Sequence, residues 1–322
     1  MHRRIFALVV LLSILLFACD KQPQEKCSDY RQAMRDFVIR ISETAKVRNA
    51  NFVVIPQNGI ELVTLGDGAD SELAATYLAA IDGHGQEDLF YGYPDDELAT
   101  PADETDYLLG FLRRSQACGK SILVIDYCAQ PSHVSDSYGR CDAENFIGFA
   151  AHRRNLDQIP TNGVHHENAN VITRLSDAKN FLYLINPGNF QSKEEFISAV
   201  CATNYDVLVM DLFFDGDDAF TTAEIERLRH KENGGKRLVI SYMSIGEAED
   251  YRYYWQSDWK RHRPAWMEKE NPDWPGNYKV RYWYSDWQEL ICGRGDSYLN
   301  RILDAGFDGV YLDIIDGYEY FE

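Results

Sequence analysis

The chain has 322 residues, 45% of them hydrophobic, with 51 acidic against 32 basic side chains and a formal net charge of −19. That length fits two ordinary domains or one large α/β barrel. The acidic balance argues against nucleic acid as a partner, which would need a basic footprint, and favours the steering of a cationic ligand.

The opening MHRRIFALVVLLSILLFAC combines a basic start, an apolar run and Ala18 before Cys19. It reads as a secretory signal peptide over residues 1–18 rather than a membrane span. LFAC resembles the lipobox of exported bacterial lipoproteins, which implies cleavage before Cys19 and lipidation of its thiol. Residues 19–28 are polar and read as a tether, so the expected location is a membrane-anchored lipoprotein, periplasmic or at the cell surface. The remaining cysteines, at 27, 118, 128, 141, 201 and 292, form no tight framework. Cys128 and Cys141 flank AQPSHVSDSYGR, read as a loop, and are the expected disulfide pair. Neither a CxxC pair nor HExxH occurs, so a metal site has no motif behind it, and no cofactor is expected.

From residue 29 onward, short apolar runs alternate with helical patterns. DYRQAMRDFVIRISETAKV (29–47) reads as a helix capped by Asp29, with Met34, Phe37, Val38 and Ile41 at helical spacing. Strands are expected at NFVVIP (51–56), YLAAIDG (77–83), SILVIDY (121–127) and FLYLIN (181–186). Further strands are expected at DVLVMDL (206–212), RLVISYMSI (237–245), YKVRYW (278–283) and GVYLDII (309–315). Between them, DETDYLLGFLRRSQACG, SKEEFISAVC (capped by Ser192), TTAEIERLRHKE and GDSYLNRILDAG read as helices. Eight strands alternating with helices predict a single α/β domain over 29–322, a (β/α)8 barrel with parallel strands.

Chemistry in such barrels sits at the C-terminal strand ends. Those ends deliver Gln57 and Asn58, His84 and Glu87, Asp126 and Tyr127, Asn186, Asp211 and Asp215, Glu247 and Glu249, Trp283, Asp313 and Asp316. Polar or aromatic groups at the same end of nearly every strand mark a candidate active site. The stretch SYMSIGEAEDYRYYW (241–255) is the densest example, because a strand breaks at Gly246 into carboxylates interleaved with aromatic rings. A solvated helix start would use acidic residues in this way; so would a sugar-cleaving site.

Together with NPDWPGNYKVRYW (271–283) and GFDGVYLDIIDGYEYF (306–321), that stretch resembles glycoside hydrolase family 114. These are the endo-α-1,4-polygalactosaminidases and their relatives, with a TIM-barrel catalytic domain. The resemblance covers essentially the whole chain after the tether, but the order departs from the family. There the strand ending in Leu-Asp-x-x-Asp sits mid-barrel, and segments like FVVIPQNG, AAIDGHGQEDLFYG and SILVIDYC follow it. Here they stand at residues 51–128, ahead of FLYLIN. Circular permutation would account for this, since the first and last strands of a closed barrel are adjacent. Residues 150–180 would then join the old barrel termini. The pair His165–His166 inside that joiner reads as linker, because no third ligand lies nearby in sequence. On this reading helix 29–47 packs beside strand 309–315, which itself lies between strands 51–56 and 278–283. Strand 181–186 lies beside strand 121–127.

The resemblance carries a catalytic Asp and Glu onto Asp211 and Glu247. It implies Glu247 as general acid and Asp211 as nucleophile or base of a two-carboxylate glycosidase, with Tyr242, Tyr251 and Trp255 shielding the acid. Glu249, Asp313 and Asp316 are expected to hold the ammonium groups of galactosamine residues. Tyr183, Trp283 and Tyr127 are expected to stack on sugar faces, and Gln57 and Asn58 to bind hydroxyls. Tyr242, Glu87 and Asp126 complete the expected substrate ligands. The implied partners are a polysaccharide substrate and, through the lipid, a membrane, with the protein acting as a monomer. A surface lipoprotein that binds such a glycan without cutting it, or a hydrolase of a different glycan, remains the alternative.

Overall fold

Parallel strands covered on both faces must be apolar along their length, and helices must seal the outer face. The computed structural model, which describes residues 25–93 and 95–322, shows that arrangement. The signal peptide and Cys19 with its lipidation lie outside the described residues. The first half runs α1 (Tyr30–Arg48), β1 (Val53–Pro56), α2 (Ala75–Ala80), β2 (Gly83–Glu87), α3 (Ala102–Ala117), β3 (Ser121–Tyr127), α4 (Pro131–Glu144), β4 (Ile147–Ala151). It continues with β5 (Phe181–Tyr183), α5 (Lys193–Cys201), β6 (Val207–Met210), α6 (Thr222–Leu228) and β7 (Leu238–Ser244). The rest is β8 (Glu247–Glu249), β9 (Met267–Glu270), β10 (Asn277–Val280), α7 (Ser285–Gln288), α8 (Tyr298–Ala305) and β11 (Gly309–Asp313).

Two parallel sheets form the core. One has the order β1-β11-β7-β6-β5, the other β2-β3-β4. Val53 pairs with Gly309, Gly309 with Ile240, and Val207 with Leu238 and Phe181, so the five-stranded sheet is in continuous register. The sheets meet at two seams. At one, the Asp82 amide donates to Val54 O (2.9 Å) and the Asn58 amide to Gly85 O (2.9 Å). At the other, β4 packs beside β5. The eight parallel strands thus succeed one another round a ring in chain order, β1 to β7 and then β11.

Three expected placements need correction. Residues 77–83 are not a strand, because Tyr77 and Leu78 belong to α2 and strand β2 is the polar GHGQE that follows. Its glycines are structural, since a Cβ on Gly85 would collide with Tyr311 Oη inside the ring. AQPSHVSDSYGR is not a loop but most of α4, opened by Pro131 in its first turn. Only Val134, Ser137 and Cys141 of that helix are buried, too sparse an apolar stripe to register. With α4 comes β4, hidden at the start of the segment read as a joiner. Finally, 278–283 contributes no ring strand. β10 pairs antiparallel with β8 and β9 in a separate small sheet, which stands outside the ring order.

The expected neighbours change accordingly. β11 lies between β1 and β7, and β4 stands between β3 and β5. Cys128 and Cys141 are both buried and both free, so the expected disulfide is absent. Helix α1 forms as expected: Asp29 accepts the Gln32 amide at 2.8 Å, and Met34, Phe37, Val38, Ile41 and Ala45 are buried. It packs against α2, α8 and the turn 315–320 that follows β11. No helix among the described residues is long and apolar enough to cross a membrane.

Candidate active site

The carboxyl ends of the ring strands open onto a cavity of about 510 Å³. Its most buried carboxylate is there because strand β7 stops. A Cβ on Gly246 would collide with the Ile314 carbonyl, so the chain can pass that point only as glycine. It re-enters as β8, and Glu247, its first residue, faces the cavity. Ile314 itself is held at φ 58°, which is unfavourable for a β-branched side chain and typical of functional sites.

Glu247 is fully buried. Its Oε1 accepts from Asn271 Nδ2 (2.8 Å) and Tyr320 Oη (3.3 Å), while Oε2 has no hydrogen-bond partner among the described residues. Burial pushes this carboxyl above its ordinary range, against those hydrogen bonds, which pull it down. Asp211 has a different setting just past β6. Arg252 pairs with it at 2.7 Å, and its Oδ1 accepts the Phe213 amide at 2.8 Å. The same buried guanidinium grips Glu249 through Nε at 2.5 Å, and Glu249 also accepts from Tyr251 Oη at 2.6 Å. One cation therefore serves two carboxylates, a charge-assisted arrangement that fixes both.

A second acidic group lines the same cavity. Glu87 accepts from Tyr127 Oη, Gln57 Nε2 (2.7 Å) and Asn58 Nδ2 (3.2 Å). Asp313 accepts from Tyr242 Oη (2.7 Å), Gln57 Nε2 (3.1 Å) and the Ile314 amide (2.8 Å). Asp316 lines the same wall. Burial, reinforced by Asp313, pushes Glu87 up to about 7. Burial and the neighbouring Asp313, Glu319 and Glu87 push Asp316 up to about 8. Among the described residues none of these three pairs with a Lys or Arg.

Of the residues expected from sequence, Gln57, Asn58, Glu87, Tyr127, Tyr183, Asp211, Tyr242, Glu247, Glu249, Asp313 and Asp316 line this one cavity. Two do not. Asp126 is buried beneath it, with Oδ1 accepting the Phe90 and Tyr91 amides and Oδ2 the Ser137 hydroxyl, so it ties down the loop after β2. Trp283 donates to Glu25 O and packs on Tyr30 and Phe321, away from the cavity, because its segment is not a ring strand. The stacking roles also change. Tyr183 is buried and donates to Gln57 Oε1 at 3.0 Å, and the Tyr127 ring is covered by the Arg154 guanidinium at 3.9 Å. The exposed aromatic lining is instead Tyr251, Trp274 and Tyr320.

Arg154, Arg252, Asn271, Trp274 and Tyr320 were not singled out as site residues. Arg252 had a readable signal, a cation three residues after Glu249 amid carboxylates. Arg154 had none, lying in the segment read as a joiner.

The ends of this parallel α/β ring thus gather one shielded carboxyl and one guanidinium-paired carboxylate in a single cavity. Residues 197–322 match the family model of glycoside-hydrolase family GH114. The match takes in Asp211, Glu247, Glu249, Asp313 and Asp316; the lining residues from β1 to β5 fall outside it. An uncharacterized protein of Methanocaldococcus jannaschii is 38% identical over 156 residues, covering 48% of this chain and 41% of that protein. One from Thermotoga maritima is 39% identical over 121 residues, 38% of this chain and 36% of the relative. One from Deinococcus radiodurans is 42% identical over 123 residues, 38% and 37%. The chain spans about two-fifths of the length of these curated relatives.

Proposed function

We propose that the protein hydrolyses an α-1,4-linked galactosamine-type polysaccharide, with Glu247 as general acid and Asp211 as nucleophile or base. The observation that carries this reading is the contrast between the two carboxyl groups in one cavity. Glycoside hydrolysis needs one protonated and one ionised carboxyl flanking the scissile bond. Glu247, desolvated and with an uncovered oxygen, suits proton donation. Asp211, ion-paired to Arg252, suits the ionised role.

The substrate class follows from the second acidic group in the cavity. Glu87 and Asp313 are held by neutral donors, Asp316 stands beside them, and an ammonium group on the sugar would supply the missing positive charge. Tyr251 and Trp274 at the rim are placed to receive sugar faces. The packing of α1 between α8 and α2 supports the circularly permuted order: α1 stands where a helix following β11 would stand. The LFAC junction supports export and anchoring through a lipid on Cys19.

Mass spectrometry of products from de-N-acetylated galactosaminogalactan tests the activity. The wild type should release short oligomers, and Glu247→Gln and Asp211→Asn should each lose at least about 100-fold in rate. Tight binding of the polymer with no product from the wild type would replace this reading with that of a glycan-binding protein.

A further inference from the structure

The segment joining β4 to β5 carries His165 and His166, and the fold brings to them the third ligand that the local sequence lacks. It is Asp142, two residues from the end of α4. His166 Nε2 lies 2.8 Å from Asp142 Oδ1, and His165 Nε2 lies 3.1 Å from Oδ2 and 3.2 Å from Oδ1. The three ligand atoms fall within 4.8 Å of one another. Successive side chains ordinarily diverge, but His166 is at φ 52°, and the two rings converge with centroids 3.9 Å apart. The position is held by its surroundings. His165 stacks on Tyr138 at 4.2 Å, and the His166 carbonyl accepts from Asn168 Nδ2 (3.1 Å) and Asn180 Nδ2 (3.0 Å). None of the three residues lines the catalytic cavity.

We propose that Asp142, His165 and His166 bind a zinc-type divalent transition-metal ion that clamps the β4–β5 segment to α4. Two imidazole nitrogens and a carboxylate oxygen are a donor set for zinc and its neighbours rather than for calcium or magnesium, which take oxygen. Without a metal, both Nε2 atoms must carry protons aimed at one carboxylate. With a metal, both present lone pairs and the carboxylate binds as the anion. Ligands about 2.0–2.1 Å from a tetrahedral ion sit roughly 3.3 Å apart, so the spacings between each imidazole and Asp142 need to open by about half an ångström at most. His166 and Asp142 are exposed and His165 half-exposed, so an ion has a path in, and solvent can fill the fourth position.

The test is isothermal titration of the mature chain, purified without a polyhistidine tag, with zinc chloride at pH 7.5. One equivalent is expected to bind. Asp142→Asn, His165→Ala and His166→Ala should each weaken binding by roughly 100-fold, with melting curves in EDTA like that of the wild type. Cobalt(II) bound in the same place should show visible absorption without the thiolate charge-transfer bands that the free cysteines would give. Absence of a stoichiometric site, or a site unaffected by these variants, would overturn the proposal and leave Asp142 as a plain hydrogen-bond acceptor. Hydrolase activity plays no part in the readout.

Discussion

Glu247 and Asp211 are chemically near-identical acids made different by what surrounds them. The first is desolvated and bonded by an amide and a phenol; the second faces a guanidinium. Activity should therefore require Glu247 protonated, and the basic limb of the kcat profile should fall as that raised carboxyl ionises. In Asn271→Ala, which removes a hydrogen bond that favours the ionised form, this limb should move to higher pH; an unmoved limb would take Glu247 out of the acid role. Glu87 has its own pH signature. Its carboxyl goes from 4.5 to about 7 on folding, so the folded state keeps a proton that the unfolded chain releases. Stability from this group is full below about 4.5 and is lost as pH rises towards 7. Glu87→Gln mimics the protonated form, and urea unfolding at pH 5 and 8 should show the decline reduced by something on the order of 3 kcal/mol. The acidic residues of the site were legible in the sequence because strand ends announce them. Direction was not: Asp126 closes a strand like its neighbours, yet points beneath the cavity into a set of amide donors.

Elements with an unbroken apolar run, such as β3, β6, β7 and β11, were legible because burial on both faces leaves little else to read. β2 was not, since room for Tyr311 demands glycine where a strand would show valine or isoleucine. β10 misled for the opposite reason: KVRYW has strand character, but its partners are β8 and β9 rather than the ring. The junction between β7 and β8 is the element that positions the proposed acid. Gly246→Ala would press a methyl group into the Ile314 carbonyl, at a cost of about 1–3 kcal/mol. Thermal melting should show that loss, together with a fall in activity beyond what the lower stability accounts for. Helix α1 is tied to the ring by its apolar face, and Phe37→Ala should cost about 3–5 kcal/mol in denaturant unfolding.

At the scale of the whole molecule, the LFAC junction leads to the expectation that a palmitate analogue labels the wild type in a bacterial host and not Cys19→Ala; equal labelling would remove the anchor. The ring itself has an uneven seam structure. Five strands share one continuous ladder and three share another, joined on one side by a few amide bonds around Gly85 and on the other by packing of β4 against β5. The cavity straddles that division. Glu87 and Tyr127 come from the three-stranded arc, while Asp313 ends a strand of the five-stranded arc and Asp211 follows another. The amides of Asn58 and Asp82 should accordingly exchange with deuterium sooner than those within either arc, because they are freed by a parting of the arcs that leaves each ladder whole. A sugar chain holding Glu87 on one side and Asp313 on the other would rivet the arcs together. Bound glycan would then slow exchange at Asp82, so occupancy could be followed from an amide outside the cavity.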